Sequence, residues 1–314
     1  MELDVFTAAA GRIKGRVRRT PLIDATALRE PAPEGCRLSL KLECLQVTGS
    51  FKARGVMNKL GLLSDDEIAR GMVTASGGNH GLGVAYAGWL TGAPATVYLG
   101  RNTPAVKAER LAAWGAAVCF EGAGWDEANH AALAHAERDG LSYIHPFADE
   151  AVIAGQGTLA LEIIEDAPDT ALLIVPIGGG GLIAGVAAAA KAMNPDIRVI
   201  GVEPNGAPTL YESLRAGRVV TLDAVDTAAN TLAPRRSAEI NFALIRDHVD
   251  DIVLVGDGEM RQAARWLWRE MGVAAELAGA ASLAALRQGR IDMPPGARVC
   301  AVVSGTGDAG MGDP

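Results

Sequence analysis

The sequence has no excess of positive charge: 29 Lys and Arg stand against 37 Asp and Glu, a formal net charge of −8. A nucleic-acid binder needs a basic face, so that class is disfavoured. There is no C-x-x-C pair among Cys36, Cys44, Cys119 and Cys300. The five histidines are scattered, His130 and His135 being close but not at the helical i, i+4 spacing. No metal-ligand grouping emerges, no metal is expected, and reduced thiols in a cytoplasmic setting are the simplest expectation. Glu2 and Asp4 open the chain with no apolar stretch behind them, so no secretory signal is evident. An unbroken membrane-length apolar run is also missing. Ala171 to Ala190 carries no charge, but Pro176 and Gly178 to Gly181 interrupt it, so a strand, a glycine loop and a small-residue helix are expected instead. No tandem repeat or low-complexity linker occurs.

What is present is ordinary soluble composition, 49% hydrophobic and 21% charged, over 314 residues, enough for two domains or one large α/β unit. Met1–Val17 has the spacing of an amphipathic helix, and Arg19-Thr20-Pro21-Leu22 of an extended lead-in. Strands are expected at 37–42 (by strict alternation), 72–75, 95–99, 117–120, 172–177, 198–202 and 299–303. Helices are expected at 51–63, 82–90, 105–114, 126–138, 157–165, 182–193, 258–271 and 280–287. This alternation is that of βαβ units, so an α/β fold with a parallel sheet follows. Pro204 to Asp251 is read as loop-rich.

In open α/β sheets, ligands collect at the carboxyl ends of strands. The turn Thr48-Gly49-Ser50-Phe51-Lys52 delivers a lysine into a helix start, with Ser50 as the expected N-cap. The helix dipole there disfavours an ammonium, so Lys52 is expected to lose its proton easily and to act as a nucleophile toward carbonyls. Gly178 to Gly181, between strand and helix, leave bare N–H groups suited to a phosphate. The same stretch, Gly179-x-Gly181-x-x-Ala184 with Glu203 ending the next strand, also fits a dinucleotide fingerprint. Ser76-Gly77-Gly78-Asn79-His80 offers an amide for a hydroxyl or oxyanion, and N–H groups for a carboxylate. Ser304-Gly305-Thr306-Gly307 follows a buried strand with a hydroxyl that can donate to a neutral ring nitrogen.

Together these residues resemble the fold type II (β-family, tryptophan synthase β-like) pyridoxal phosphate enzymes, in particular the serine/threonine dehydratases and serine racemases. The resemblance runs from Arg19-Thr20-Pro21-Leu22 through Lys41-Leu42-Glu43, Ser50-Phe51-Lys52, Gly78-Asn79-His80-Gly81, His145-Pro146, Ala154-Gly155-Gln156-Gly157-Thr158 and the glycine loop to Ser304. It implies two three-layer α/β domains with mostly parallel sheets: a large, discontinuous, cofactor-binding domain at 1–70 and 146–314, and a small one at 71–145. Pyridoxal 5′-phosphate would be held by Lys52 through a Schiff base, with Phe51 packed near it and Asn79 on its phenolic oxygen. Gly178, Gly179, Gly180, Gly181 and Leu182 would cradle its phosphate, and Ser304 would face its ring nitrogen. Ser76, Gly77, Gly78, Asn79 and His80 would bind the substrate carboxylate. The implied reaction is dehydration and deamination of a threonine- or serine-like β-hydroxy amino acid to a 2-oxo acid and ammonia, with Lys52 removing the α-proton. A small-molecule amino acid is the expected partner, neither nucleic acid nor membrane is, and a homodimer is expected.

The chain also departs from the resembled pattern. Gly77 stands where racemases carry a second serine, which disfavours racemisation. The divalent-cation pattern has Glu203 and Ala207 but Thr209 in place of an aspartate. Asn230, Leu277 and Thr306 replace an aspartate, a proline and a glycine on the large-domain side of the site. The sequence past Ser304 is too short for a regulatory domain, so feedback through one is not expected. The rival readings are β-replacement on the same scaffold, disfavoured by Val47-Thr48 and His80, an NAD-dependent oxidoreductase, which leaves Lys52 and Asn79 unexplained, and a non-catalytic binding protein of the same fold.

Overall fold

The computed structural model of the chain describes residues 1–26, 28–31, 36–293 and 295–312. Its elements run α1 Leu3–Ile13, β1 Leu22–Asp24, β2 Arg37–Lys41, α2 Lys52–Leu60, α3 Asp65–Arg70, β3 Met72–Ala75, α4 Asn79–Thr91, β4 Ala95–Leu99, α5 Ala105–Ala112, β5 Ala117–Phe120, α6 Trp125–Asp139 and β6 Ser142–Tyr143. The remainder is α7 Glu150–Asp166, β7 Thr170–Pro176, α8 Gly181–Met193, β8 Arg198–Pro204, α9 Thr209–Ala216, α10 Glu239–His248, β9 Asp251–Val255, α11 Asp257–Met271, α12 Leu277–Arg287 and β10 Arg298–Val302.

The strands form two sheets, a four-stranded one in the order β5-β4-β3-β6 and a six-stranded one in the order β1-β2-β10-β7-β8-β9. Every pairing is parallel except β1 with β2. Helices cover both faces of the large sheet, so β7 is apolar on both sides. Leu172 and Ile174 enter the core layer under α11 and α12, while Leu173 and Val175 enter the layer under α1, α7 and α8. Among the described residues no helix is long and apolar enough to cross a membrane.

The helices behind α2 approach almost backbone to backbone. A Cβ on Gly155 of α7 would lie 2.6 Å from the Arg54 carbonyl, and one on Gly185 of α8 would lie 2.2 Å from that of Ile153. The sequence pattern places the start of α7 at Gly157. The helix starts at Glu150, where the Asp149 side chain caps the backbone N–H groups of Ala151 and Val152.

Strand β2 differs from its alternating pattern. Ser39 and Lys41, the polar positions, are buried like Leu38 and Leu40, because Lys41 turns its ammonium onto Thr20 O (2.8 Å) and Glu162 (2.6 Å) inside the protein. The stretch read as loop-rich, 204–251, contains α9 and α10, and β9 adds an edge strand whose pattern is only partly buried.

Candidate active site

Three strand-to-loop transitions and one helix start converge on a cleft of about 940 Å³ between the two sheets. Lys52, the Ser76–His80 loop, Gly178 to Leu182, Glu276 and Ser304 all line it. The end of β10 builds the lysine turn. Ser304 O accepts the Phe51 N–H (3.2 Å), Gly49 O accepts the Thr306 N–H (2.8 Å), and Ser50 bridges Gly305. Ser50 is therefore not the expected N-cap. Its backbone is extended to pair with Gly305, its buried hydroxyl has no partner among the described residues, and Phe51 occupies the cap position. Thr306, one of the departures, packs under this turn, its Cγ2 lying 2.4 Å from where a Gly49 Cβ would stand.

Lys52 Nζ donates to the Pro146 carbonyl (2.6 Å) and lies 5.1 Å from the centroid of the Phe51 ring. Its ammonium is pushed down to about 8, chiefly by burial, with the Glu276 carboxylate acting the other way. Withdrawal from water therefore lowers Lys52 in the direction expected from the sequence.

Asn79 opens α4, and its Nδ2 donates to Glu276 Oε1 (2.8 Å), which also takes a long bond from Thr231 (3.4 Å). Burial raises the Glu276 carboxyl, with Asn79 and Thr231 opposing. Glu276 is not among the site residues that the sequence singles out. The signal available was a carboxylate beside apolar residues with no basic neighbour in sequence. Ser76 Oγ accepts the Gly78 N–H (3.3 Å), closing the loop on itself. The His80 ring is 2% exposed and places Nε2 2.9 Å from Ile144 O. Burial first, then Lys52, pushes it down to about 3, so it stays neutral. Ser304 is 3% exposed, its hydroxyl 3.4 Å from Ala278 O.

The glycine loop is crowded from behind. A Cβ on Gly179 would fall 2.3 Å from the Phe147 ring, and Gly180 has a left-handed φ of +91°. Among the described residues, the N–H groups of Gly178, Gly179, Gly180, Gly181 and Leu182 donate to no protein acceptor. They form an unpaired nest at the start of α8. Glu203 stands elsewhere. Buried at the end of β8 and raised to about 8 by that burial, it accepts the N–H groups of Leu210 (2.9 Å) and Tyr211 (2.8 Å) at the start of α9. A dinucleotide ribose would need that carboxylate free. Thr209, in the cation pattern, turns its hydroxyl to Pro234 O (2.7 Å).

The family description "Pyridoxal-phosphate dependent enzyme" matches residues 13–305. The chain belongs to this family. As a pyridoxal-phosphate-dependent enzyme it is similar to the L-threonine ammonia-lyase of Thermotoga maritima, at 42% identity over 303 residues, covering 96% of this chain and 75% of that protein. Its fold matches the structure of maize serine racemase with a TM-score of 0.90 at 34% identity, covering 97% and 93% of the two chains. It also matches the processed form of threonine deaminase isoform 2 from Solanum lycopersicum with a TM-score of 0.88 at 34% identity, covering 97% of this chain and 89% of that one. The fold is therefore that of the fold type II pyridoxal phosphate enzymes. The residues present fit such a cofactor: an unpaired nest for a dianion and, in the same cleft, a lysine whose proton is weakly held.

Proposed function

We propose that this pyridoxal-phosphate-dependent enzyme is an ammonia-lyase of the threonine/serine dehydratase type, converting a β-hydroxy amino acid to a 2-oxo acid and ammonia. The observation that carries the reading is the placement of a half-buried lysine with a weakly held proton in one cleft with an unpaired glycine nest. Lys52 would hold the cofactor aldehyde, and the N–H groups of Gly178 to Leu182 its phosphate. Ser304 would meet the ring nitrogen with a neutral hydroxyl, Asn79 would face the phenolic oxygen, and Phe51 would pack nearby. When bound, the cofactor supplies the electron sink that makes a Cα proton acidic.

The rest is this chain's own work. Released from the cofactor, Lys52 Nζ is neutral for a useful fraction of the time near neutral pH and takes the Cα proton as general base. The Ser76–His80 loop, at the N-terminal end of α4, offers N–H groups and the dipole to the substrate carboxylate, with Asn79 held in place by Glu276. Neutral His80 adds no second cation beside Lys52. Loss of the β-hydroxyl as water, then hydrolysis of the enamine product, gives the 2-oxo acid and ammonia. Racemisation needs a proton donor opposite Lys52. Gly77 has none, and a Cβ there would meet Thr103 and Leu99 at 3.0 and 3.2 Å.

In the same reading the chain divides into a large domain, 1–70 with 146–314, and a small domain, 71–145, each built on one of the two sheets. It works as a cytoplasmic homodimer, which light scattering of the purified protein tests. The thiols of Cys44, Cys119 and Cys300 form no disulfide among the described residues, which suits a reducing compartment. The deciding assay measures 2-oxo acid and ammonia from serine, threonine and bulkier β-hydroxy amino acids of both configurations. The purified protein should be yellow, and borohydride should bleach it and label Lys52. Protein that gains no colour with pyridoxal phosphate, or releases ammonia from none of these substrates, would sink the proposal.

A further inference from the structure

A run of glycines supplies N–H groups cheaply but fixes none of them. Without Cβ atoms a peptide plane between two glycines turns over with little steric resistance, and each turn exchanges an N–H for a carbonyl. In the loop between β7 and α8, the peptide joining Gly179 to Gly180 is gripped from outside. Gly179 O accepts Asn241 Nδ2 at 2.6 Å and Ser237 Oγ at 2.9 Å. Both donors are buried, Asn241 completely, in the first turn of α10 and just ahead of it. Because the peptide is planar and trans, holding its oxygen toward α10 sends the Gly180 N–H the opposite way. Gly180 lines the cleft, and its N–H has no protein acceptor among the described residues.

Asn241 does more than fill space. Its Nδ2 also reaches Phe147 O (3.2 Å), next to the Pro146 carbonyl that receives Lys52. One amide thus ties the glycine nest to the segment that positions the lysine. Its Oδ1, by contrast, is buried with no partner among the described residues. An unsatisfied buried oxygen is a cost that an apolar residue of similar size avoids. Packing alone does not explain an asparagine here; a requirement for its N–H groups does.

We propose that Asn241, seconded by Ser237, is a positioning residue that locks the Gly179–Gly180 peptide with its N–H facing the cleft and so sets how tightly the site grips a phosphate. The inference rests on the pyridoxal-phosphate reading of the cleft but goes beyond it, since it assigns a role to side chains that do not line the cavity.

The test compares full-length protein stripped of cofactor and titrated with pyridoxal 5′-phosphate or with pyridoxal, which lacks the phosphate. The wild type, Asn241→Ala, Asn241→Asp and Ser237→Ala are compared. Asn241→Asp keeps the shape but removes the N–H donors. Both Asn241 variants should lose roughly tenfold or more in affinity for pyridoxal phosphate, the worth of one hydrogen bond to a charged group. Affinity for pyridoxal should change less than about twofold, and Ser237→Ala should lose roughly threefold for the phosphorylated form alone. Equal losses for both ligands, or no loss for either, would overturn the proposal. If the Asn241 variants do not fold, Ser237→Ala decides by the same criterion. A wild type that binds the two ligands equally would overturn the phosphate assignment of the loop as well, so the two failures are distinguishable.

Discussion

Lys52 and Arg54 stand in the same first turn of α2, and both cations are withdrawn from water. Arg54 is fully buried and meets Glu43 through two parallel bonds of 2.8 Å and Glu162 through bonds of 2.7 and 2.9 Å. Burial opposes its charge, but those carboxylates overcome it and hold the guanidinium above its ordinary range. Lys52 has a carbonyl as its close partner and a carboxylate only as a more distant neighbour, and burial prevails. What separates a structural cation from a reactive one here is chiefly the company of carboxylates.

The largest effect that sharpens this contrast is on turnover. Lys52→Ala should lower 2-oxo acid formation by roughly 10³–10⁴-fold or more, since nucleophile and base go together. The thermal midpoint of the cofactor-free protein should not fall, because an ammonium whose charge its surroundings disfavour goes with it. A variant that keeps a tenth of the activity would break the comparison.

Arg54→Met should act the other way, leaving Glu43 as a buried, uncompensated carboxylate and Glu162 with Lys41 as its one remaining cation among the described residues. The expected loss is about 3–5 kcal/mol in urea unfolding, the range for breaking a buried pair. A loss under about 1 kcal/mol would mean that the network contributes little.

The smallest effect is a shift in pH dependence. In cofactor-free protein Lys52 is held at about 8 against an ordinary 10.5. The folded state therefore binds fewer protons than the unfolded chain between these values. Stability from this group rises with pH across that window, and below it the full cost of burying the ammonium is present. The rate at which pyridoxal phosphate attaches should accordingly rise through an inflection near pH 8. Glu276→Gln removes the carboxylate that favours the ammonium, so the inflection should move to lower pH by less than about one unit. A move to higher pH would contradict the arrangement.

How legible all this is from sequence depends on the kind of interaction. Strands 72–75, 95–99 and 117–120 have the bounds their apolar runs suggest. The helices α9 and α10 escaped notice because their anchors are distant: Glu203 on β8 caps α9, and α10 is tied to the glycine loop through Asn241. The strand ends of the site were readable from their glycines and polar turns. Glu276, Asn241 and the inward turn of His80 were not, because each takes its meaning from a partner far away in the chain.

The close approach of α2, α7 and α8 also bears on how such an enzyme changes over generations. Gly55, Gly155, Gly157 and Gly185 each stand where a single added methyl would meet a neighbour at under 3 Å. A mutational path that repositions the lysine relative to the nest must therefore alter several residues at once, and every intermediate on it is poorly packed. Other residues that line the cleft, such as Trp125 and Arg235, are held through side-chain bonds to Ala75 O and Leu222 O and can be exchanged one at a time. Drift and selection consequently reach the choice of amino acid long before they reach the chemistry.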